Sequence, residues 1–384
     1  MVWMEKCIVS LRQEFVCLAR REGANVRALC RQFGISPKTG YKWLARLQEA
    51  AGDVQALHDR SRRPLTSPMR SAQDTELAVL SLRQQHPAWG GRKISRRLHD
   101  LGLASIAPST VTHILHRHGL IDSQASDAAR PWQRFEHDTP NSLWQIDFKG
   151  HFPTLAGRCH ALTLLDDHSR FNLRLHALTR TDTGSVREQL IEVFQRYGMP
   201  ARINADNGAP WGSPSASGRS LSELAVWLIR QGVQISFSTP HHPQTNGKLE
   251  RFHRTLDVEV IKGRHFVDVD SVQRSFDAWR ASYNCERPHE ALGLQAPVQC
   301  YRPSAVAYST TLRPIEYPAG DEVITVGWNG FIRFRNRKVR LSSALHRLPI
   351  GIRPQQENDG VHEVYFCHHR LARIDLRDVP ALDT

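Results

Sequence analysis

"SLWQIDFKGHF" (residues 142–152) is the stretch of this sequence that decides the fold. Its apolar and aromatic residues favour a β-strand, and the stretches "CHALTLLDDHS" (159–169) and "RFNLRLHAL" (170–178) repeat this composition. Only short segments separate the three, so we predict three successive strands. Helical and strand patterns then alternate, with helices predicted at 183–198 and 220–232 and strands at 201–208 and 233–240. The sequence therefore predicts a mixed α/β core over residues 141–303.

One carboxylate interrupts the first of these strands, and two others follow it in the core. Asp147 lies among apolar residues, where a carboxylate is costly unless it is paired or binds a metal ion. An edge strand that tolerates a polar residue is the alternative. Asp206 ends a predicted strand, although Asp-Asn-Gly is also an ordinary turn sequence. Glu250 lies on a predicted helix among basic residues, where an ion pair with Arg254 is the alternative to a catalytic role.

The chain is strongly basic, with a formal net charge of +13. Residues 1–70 hold 13 Lys and Arg against 6 Asp and Glu, so the charge is concentrated near the N-terminus. This favours a nucleic acid partner over a membrane, because no basic amphipathic helix stands out. The seven cysteines are scattered without a C-x-x-C pair, which argues against a cysteine zinc site. We therefore expect a protein of the reducing cytoplasm, associated there with nucleic acid.

Residues 24–50 predict a helix-turn-helix within a first domain at residues 1–57. Ser36 and Pro37 are an N-cap followed by proline at the first helical position. On the second helix, Tyr41, Leu44 and Ala45 are predicted to face inward. The opposite face carries predicted DNA contacts at Lys38, Thr39, Lys42 and Arg46. An ordinary helical hairpin with a solvated basic face is the alternative.

A basic linker is predicted at residues 58–72, followed by a second helix-turn-helix at 73–121. Arg62 and Arg63 of the linker are predicted phosphate contacts, with a merely solvated linker as the alternative. Within "GRKISRRLHDLGL" (91–103), Ile94, Leu98 and Leu101 are expected on one apolar stripe. A second basic cluster of predicted DNA contacts comprises Arg92, Lys93 and Arg96. In "APSTVTHILHRHGL" (107–120), Ser109 is the predicted cap.

A second linker is predicted at residues 122–140, and a small basic β domain at residues 311–384. The tail has short strand-like stretches separated by turns. Its basic run, with aromatic neighbours, is a predicted nucleic-acid surface that comprises Arg333, Arg335, Arg337, Lys338 and Arg340. An exposed basic hairpin without a ligand is the alternative.

Residues 141–303 resemble the retroviral-integrase-like core of the DDE transposases that bacterial insertion sequences encode. The matching stretches, in order, are "LWQIDFKG", "LTLLDDHSRF", "NADNG", "HPQTNGKLERFHRTL" and "YNCERPHEALGLQAPVQCY". The upstream helix-turn-helix modules and the basic tail are similar to that family's layout. The resemblance implies a multidomain protein with all-α helix-turn-helix modules, an α/β ribonuclease H-like catalytic core and a small C-terminal β-barrel-like domain.

The resemblance also implies the site residues and the cofactor. The family's three metal-binding acids map onto Asp147, Asp206 and Glu250, with two Mg²⁺ ions per site and Mn²⁺ as a substitute. The basic residues around Glu250 then become predicted phosphate contacts, namely Lys248, Arg251 and Arg254. Asp166 and Asp167 are the competitors for a metal role, and we interpret Asp166 as structural. The interval from Asp206 to Glu250 is wider than in retroviral integrases, and a loop at 212–220 is expected to hold the extra length.

Three functions remain open at this stage. The first is a transposase that binds the terminal inverted repeats of its element, cuts the ends and joins them to target DNA. Because two ends must be held together, we expect a homo-oligomer, at least a dimer on DNA. The second is a DNA-binding regulator with an inactive core, which the presence of all three acids disfavours. The third is a ribonuclease H-type nuclease, which the two site-reading modules disfavour.

Overall fold

The structure, a computed structural model, describes residues 8–60, 70–121, 137–215, 218–237, 247–355 and 359–377. The chain divides into two compact units, Met1–Ser71 and Ala72–Thr384. None of the described helices is both long and apolar enough to cross a membrane.

The first unit is a bundle of three helices with a short 3₁₀ turn. Its elements are α1 (Ile8–Ala19), α2 (Val26–Gln32), α3 (Pro37–Glu49) and the 3₁₀ turn Val54–Leu57. The Ser36 side chain accepts a hydrogen bond from the Thr39 N–H and Pro37 opens α3, which confirms the predicted helix start. The predicted inward face was wrong at Tyr41, which is 51% exposed. The bulkier Trp43 and Leu47 fill the core instead, and this rotates Tyr41 and Ala45 outward.

A second helical module opens the larger unit. It consists of α4 (Gln73–Gln85), α5 (Gly91–Asp100) and α6 (Pro108–Arg117). Ile94 and Leu98 are buried as predicted, but Leu101 is 46% exposed because α5 ends one residue before it. The prediction of Ser109 as a cap was also wrong. Pro108 begins α6 after Ala107, so Ser109 already lies inside the first turn.

A five-stranded mixed sheet forms the centre of the larger unit, which confirms the predicted α/β core. Its strands are β1 (Trp144–Thr154), β2 (Gly157–Asp166), β3 (Asn172–Leu178), β4 (Arg202–Ala205) and, after a hairpin, β7 (Gln234–Phe237), in the spatial order β3-β2-β1-β4-β7. The first three strands form the predicted antiparallel meander, and β1, β4 and β7 run parallel. This order places the C-terminal end of β4 beside the first half of the longer strand β1.

Helices cover both faces of this sheet. One face packs against α7 (Thr183–Tyr197) and α8 (Glu223–Arg230), with Trp144, Ile146 and Ile203 in the shared core. The other face packs against α9 (Gly247–Leu256) and α10 (Val269–Cys285), and α9 continues into a π-helical turn at Asp257–Ile261. A short helix, α11 (Pro297–Cys300), follows a 3₁₀ turn at Glu290–Leu292.

The expected loop at 212–220 is partly a hairpin. Strands β5 (Gly212–Ser215) and β6 (Gly218–Leu221) pair antiparallel, so cross-strand backbone hydrogen bonds order this insertion. The hairpin leads directly into α8, whose first residue follows the Ser222 cap. The additional chain between Asp206 and Glu250 is therefore built outward from the core as a paired element.

The tail is a small β domain packed on the core. Strands β8 (Glu322–Thr325), β11 (Pro349–Pro354), β12 (Val361–Phe366) and β13 (His369–Asp375) form one sheet, and β9 (Phe331–Phe334) pairs with β10 (Arg337–Arg340). A 3₁₀ turn spans Ser343–Leu345. Strand β11 was not predicted, because prolines begin and end it. The tail core also includes Ala225 and Ile229 of α8, which ties it to the catalytic core.

Replacing Gly330 with Ala should destabilise this tail. Gly330 has φ +78, and an added Cβ would lie 2.5 Å from backbone atoms of Ser342 and Ser343. We expect a loss of about 1–3 kcal/mol in the free energy of unfolding, measured by urea denaturation. Gly320→Ala is the matched control, because that position has open space around its Cβ. Equal urea midpoints for the two variants would contradict this account of the turn.

Candidate active site and nucleic-acid contacts

Asp147 is a half-buried carboxylate on β1, and its Oδ1 accepts the Phe148 N–H at 2.8 Å. Burial is the main cause that raises the pKa of Asp147 to about 6. The charges of Asp206 and, more weakly, Glu250 raise it further, whereas the Phe148 hydrogen bond lowers it. The charges of Asp206 and Glu250 are therefore close enough to Asp147 to affect its pKa.

The sheet register brings Asp206 next to Asp147. Strands β1 and β4 pair in parallel, with Gln145 beside Asn204. Asp147 and Asp206 each lie two positions beyond that pair. Asp147 is still inside β1, paired with Thr163 of β2, whereas Asp206 directly follows the last residue of β4, so the two acids are neighbours at the C-terminal end of β4. The Asp206 Oδ1 accepts the Gly208 N–H at 3.1 Å in a tight turn. Burial raises the pKa of Asp206, and this hydrogen bond opposes the increase.

Glu250 lies in the first turn of α9, and its side chain is exposed. The helix is anchored by Leu249, Phe252 and Leu256, which pack under the central sheet. Within the described ranges Glu250 makes no ion pair, so the alternative of a pair with Arg254 is not realised. The Glu250 carboxylate is therefore open to solvent, and its charge contributes to the raised pKa of Asp147.

The three carboxylates are chemically suitable ligands for a hard cation, because Mg²⁺ prefers oxygen ligands. Burial is the main cause of the raised pKa of Asp147, and a cation would relieve the smaller contribution that the charges of Asp206 and Glu250 make to it. Across the described part of the chain, however, no three His, Cys, Asp or Glu side chains stand close enough to hold a metal ion. The three acids are thus near one another, but in the described structure they do not surround a common metal position.

The two competing acids are structural. Asp166 is fully buried and accepts hydrogen bonds from the Ser169 N–H at 2.8 Å and the Asn141 N–H at 2.7 Å. Asp167 is also buried and pairs with Lys248, while accepting the Gln145 side-chain amide at 2.7 Å. Both carboxylates hold the β2–β3 turn in place, which agrees with the structural interpretation of Asp166.

Lys248 differs from its prediction as a phosphate contact. Its ammonium forms an ion pair with the buried Asp167, and its side chain is only 17% exposed. Arg251 and Arg254, by contrast, are exposed on α9. The reason is helical geometry, since Lys248 lies on the side of the first turn that meets the β2–β3 turn.

The predicted contacts of the first unit lie on α3. Lys38 and Lys42 are exposed, and the Lys42 Nζ lies 4.6 Å from the Trp43 ring centroid. The Arg46 guanidinium lies 4.9 Å from the same ring. The Thr39 hydroxyl is hydrogen-bonded to the Ser36 hydroxyl at 2.9 Å, so Thr39 takes part in the helix cap. Arg62 and Arg63 lie outside the described residues.

The basic cluster of α5, predicted as a DNA-binding face, takes part in ion pairs, although the Arg92 side chain is 71% exposed. The Arg97 Nη2 lies 2.9 Å from Glu286, and the Arg92 Nη1 lies 4.0 Å from Glu290. Arg96 pairs with Asp100 on the same helix at 2.7 Å. Lys93 is half-buried between these arginines. The acids at 286 and 290 are distant in sequence, so the pattern of α5 alone gave no sign of this docking.

The tail hairpin divides its basic residues between two faces. Alternation and register place Phe331, Arg333, Lys338 and Arg340 outward. The Lys338 Nζ lies 4.4 Å from the Phe331 ring centroid. Arg337 instead turns inward and donates to the Leu376 carbonyl, and Arg335 lies 3.7 Å from Glu322. Arg337 therefore departs from its prediction as a DNA contact, whereas Arg335, whose side chain is 64% exposed, stays a predicted contact.

Sequence reasoning named Arg340 in the basic run but missed an exposed aromatic residue of the tail. Trp328, in the turn before β9, is 79% exposed, and Arg340 is exposed on the outward face. The signal available was the "GWNG" turn, because an aromatic residue at a turn tip has little core to enter.

Models of known families match most of the chain. Two models of an integrase core domain match residues 137–243 and 231–297. A helix-turn-helix domain matches residues 11–64, and a homeodomain-like domain matches residues 39–115. The fold and these family matches together define an integrase-core protein with helix-turn-helix modules. The C-terminal domain of IS481 family transposases matches residues 321–381, and with it the chain belongs among the transposases of insertion sequences, as its sequence predicted.

Individual relatives are distant. The insertion element IS476 uncharacterized 39.2 kDa protein of Xanthomonas euvesicatoria is 25% identical over 244 residues, which cover 62% of this chain and 66% of that protein. The chain thus spans just under two thirds of this relative's length. The transposase for insertion sequence element IS904 of Lactococcus lactis is 24% identical over 250 residues, 59% of this chain and 95% of that protein. A simian T-cell lymphotropic virus intasome structure, in complex with PP2A regulatory subunit B56 gamma, shares 15% identity at a TM-score of 0.37, covering 78% of this chain and 96% of that chain.

Proposed function

We propose that this protein binds the terminal inverted repeats of its mobile element, cuts the ends and joins their 3′-hydroxyls to target DNA. The observation that supports the proposal is that Asp206 follows β4 beside Asp147 of the paired strand β1, while the charges of Asp206 and Glu250 raise the pKa of Asp147. Two carboxylates on adjacent parallel strands and a third on α9 are a suitable support for phosphoryl transfer.

Two Mg²⁺ ions, or Mn²⁺ in their place, would activate the attacking hydroxyl and stabilise the leaving oxygen when bound. Asp147, Asp206 and Glu250 would hold them, and neutralising their mutual repulsion favours binding. The exposed Arg251 and Arg254 flank Glu250 and would position the DNA backbone by contacting phosphates. Positioning is a large part of the task, since the reacting oxygens must lie in line across the phosphate.

The first unit would recognise the ends. Its α3 presents Lys38 and Lys42 on an exposed face, as expected of a recognition helix in the major groove. A transposition reaction needs both ends in one assembly, so we infer a homo-oligomer, at least a dimer, on DNA. The outward face of the tail hairpin adds a basic and aromatic surface for target or end DNA.

The alternative is a DNA-binding regulator that has lost catalysis. One observation favours it, namely that the described acids do not converge into a metal-binding group. The test is strand transfer in Mg²⁺, with short duplexes from the DNA that flanks the coding region and supercoiled plasmid as target. Joined products would support the transposase. End-specific binding without cutting or joining, in Mg²⁺ and in Mn²⁺, would support the regulator.

Binding to these duplexes should weaken steeply as salt is raised. Each phosphate that a Lys or Arg neutralises releases counterions, so the logarithm of the affinity falls by about 0.9 per contact for each logarithmic unit of salt. Fluorescence anisotropy with a labelled duplex between about 50 and 200 mM KCl measures the slope. A flat response would contradict the proposed phosphate contacts.

A further inference from the structure

The junction between α5 and residues 286–290 contains a lysine without a counter-ion. Lys93 is half-buried there, between the arginines that pair with Glu286 and Glu290. In the described part of the chain, Lys93 makes no hydrogen bond or ion pair from its ammonium. Arg287 is the nearest buried cation of the core, but its charge is already balanced by Glu259 at 2.8 Å.

The charges that face Lys93 are mainly positive. Burial is the main cause that lowers the pKa of Lys93 to about 7. Arg287 and Arg251 lower it further, while the carboxylates of Glu290 and Glu259 oppose the decrease. Because Arg251 belongs to α9 and Lys93 to α5, this cationic pocket is built jointly by the helical module and the catalytic core.

Two further groups at the same place are suited to an anion. The Nε2 of His289 is shielded from solvent and has no hydrogen-bond partner among the described residues. Burial, and then the charges of Arg287, Lys93, Arg170 and Arg251, lower the pKa of His289 far below its usual value, so the ring is neutral and can donate one N–H. The first turn of α5 begins after Gly90 without a side-chain cap, which leaves backbone N–H groups available.

We infer that this junction binds a backbone phosphate of DNA through Lys93, Arg251 and the first turn of α5. The inference rests on the proposed function, because it takes DNA as the partner. A phosphodiester carries one negative charge and acceptor oxygens, which match an uncompensated ammonium and free N–H groups. Since Arg251 directly follows Glu250, the phosphate would connect the second helical module to the helix that carries a catalytic acid.

The test compares wild type with Lys93→Gln and Lys93→Arg in the full chain. Duplex binding is measured by anisotropy from pH 6 to 8.5, at constant ionic strength and in phosphate-free buffer. A phosphate favours the charged lysine, so binding raises the pKa of Lys93 and the wild-type affinity falls as pH rises above about 7. The fall is about tenfold between pH 6 and pH 8 if the bound pKa lies above that range. Lys93→Arg, always charged, should lack this component of the pH dependence.

Lys93→Gln should bind more weakly at pH 6, with a salt slope smaller by about 1. Lys262→Gln, at an exposed lysine away from the junction, is the matched control and should keep the wild-type slope. Thermal melting verifies that each variant is folded, and Lys93→Arg preserves the test if Lys93→Gln is not. If both Lys93 variants kept the wild-type salt slope and the wild-type pH profile of duplex binding, the phosphate site would be overturned, but the proposed function would not. Absence of specific duplex binding by the wild type would instead overturn the proposed function.

Discussion

Strand transfer should be abolished by Glu250→Gln, with DNA binding unchanged or slightly tighter. The amide keeps the size of the side chain but removes the charge that a hard cation requires. We expect the joining rate to fall by more than about 100-fold, because changing residues that only orient metal ligands already costs about 10–100-fold. Binding is retained because Glu250 is exposed and supports no ion pair among the described residues, and because its removal lowers the repulsion of phosphates.

Glu188→Gln on α7 is the matched control, since Glu188 is also an exposed helical glutamate. Joining is followed on gels with a labelled end duplex, and binding by anisotropy with the same duplex. A Glu250→Gln protein that joins ends at the wild-type rate would remove Glu250 from the catalytic assignment. An equal loss in Glu188→Gln would show that the effect is not specific to the site.

The largest stability loss is expected for Glu259→Gln. Glu259 pairs with Arg287 at 2.8 Å, and both side chains are buried, at 4% and 6% exposed. The second carboxylate oxygen of Glu259 accepts the Trp279 N–H at 2.6 Å. Neutralising Glu259 leaves a buried guanidinium charge without its partner, so we expect a loss of about 3–5 kcal/mol in the free energy of unfolding.

Urea denaturation followed by tryptophan fluorescence measures this loss. The matched control is Glu192→Gln, which breaks the half-exposed pair with Arg174 and should cost less than about 1 kcal/mol. Similar urea midpoints for the two variants would show that the buried pair contributes no more than the surface pair.

Local features of the fold could be predicted because short-range patterns determine them. Ser36 and Pro37 start α3 wherever that helix is placed, and the composition of 142–178 makes strands before any partner is known. Asp147 was noticed locally, since a carboxylate is costly in an apolar strand, whereas Asp206 and Glu250 were assigned through the family resemblance. Their proximity depended on β1 pairing with β4, which the family resemblance implied and the register now describes.

The predictions that differ from the structure concern long-range partners. In sequence, Lys248 resembles the nearby Arg251, and Arg337 resembles the nearby Arg333. In the structure, Lys248 pairs with Asp167, and Arg337 donates to the Leu376 carbonyl. Alternation could have separated Arg337 from Arg333 only once the register of β9 and β10 was fixed. The docking of α5 depends on Glu286 and Glu290, which lie far along the chain from Arg97 and Arg92, and no periodicity in the sequence reveals such partners.

The docking of the second module has a consequence for the layout of a DNA end. Trp89 is buried at the junction, and two ion pairs join α5 to residues 286–290, so α6 stands at a fixed distance from the acidic edge of the sheet. For DNA bound by α6, the number of base pairs to the reacting phosphate is then set by the protein. Inserting one base pair would turn that phosphate by about 35° around the duplex axis, away from the acids. The spacing of an end would thus be selected together with its sequence.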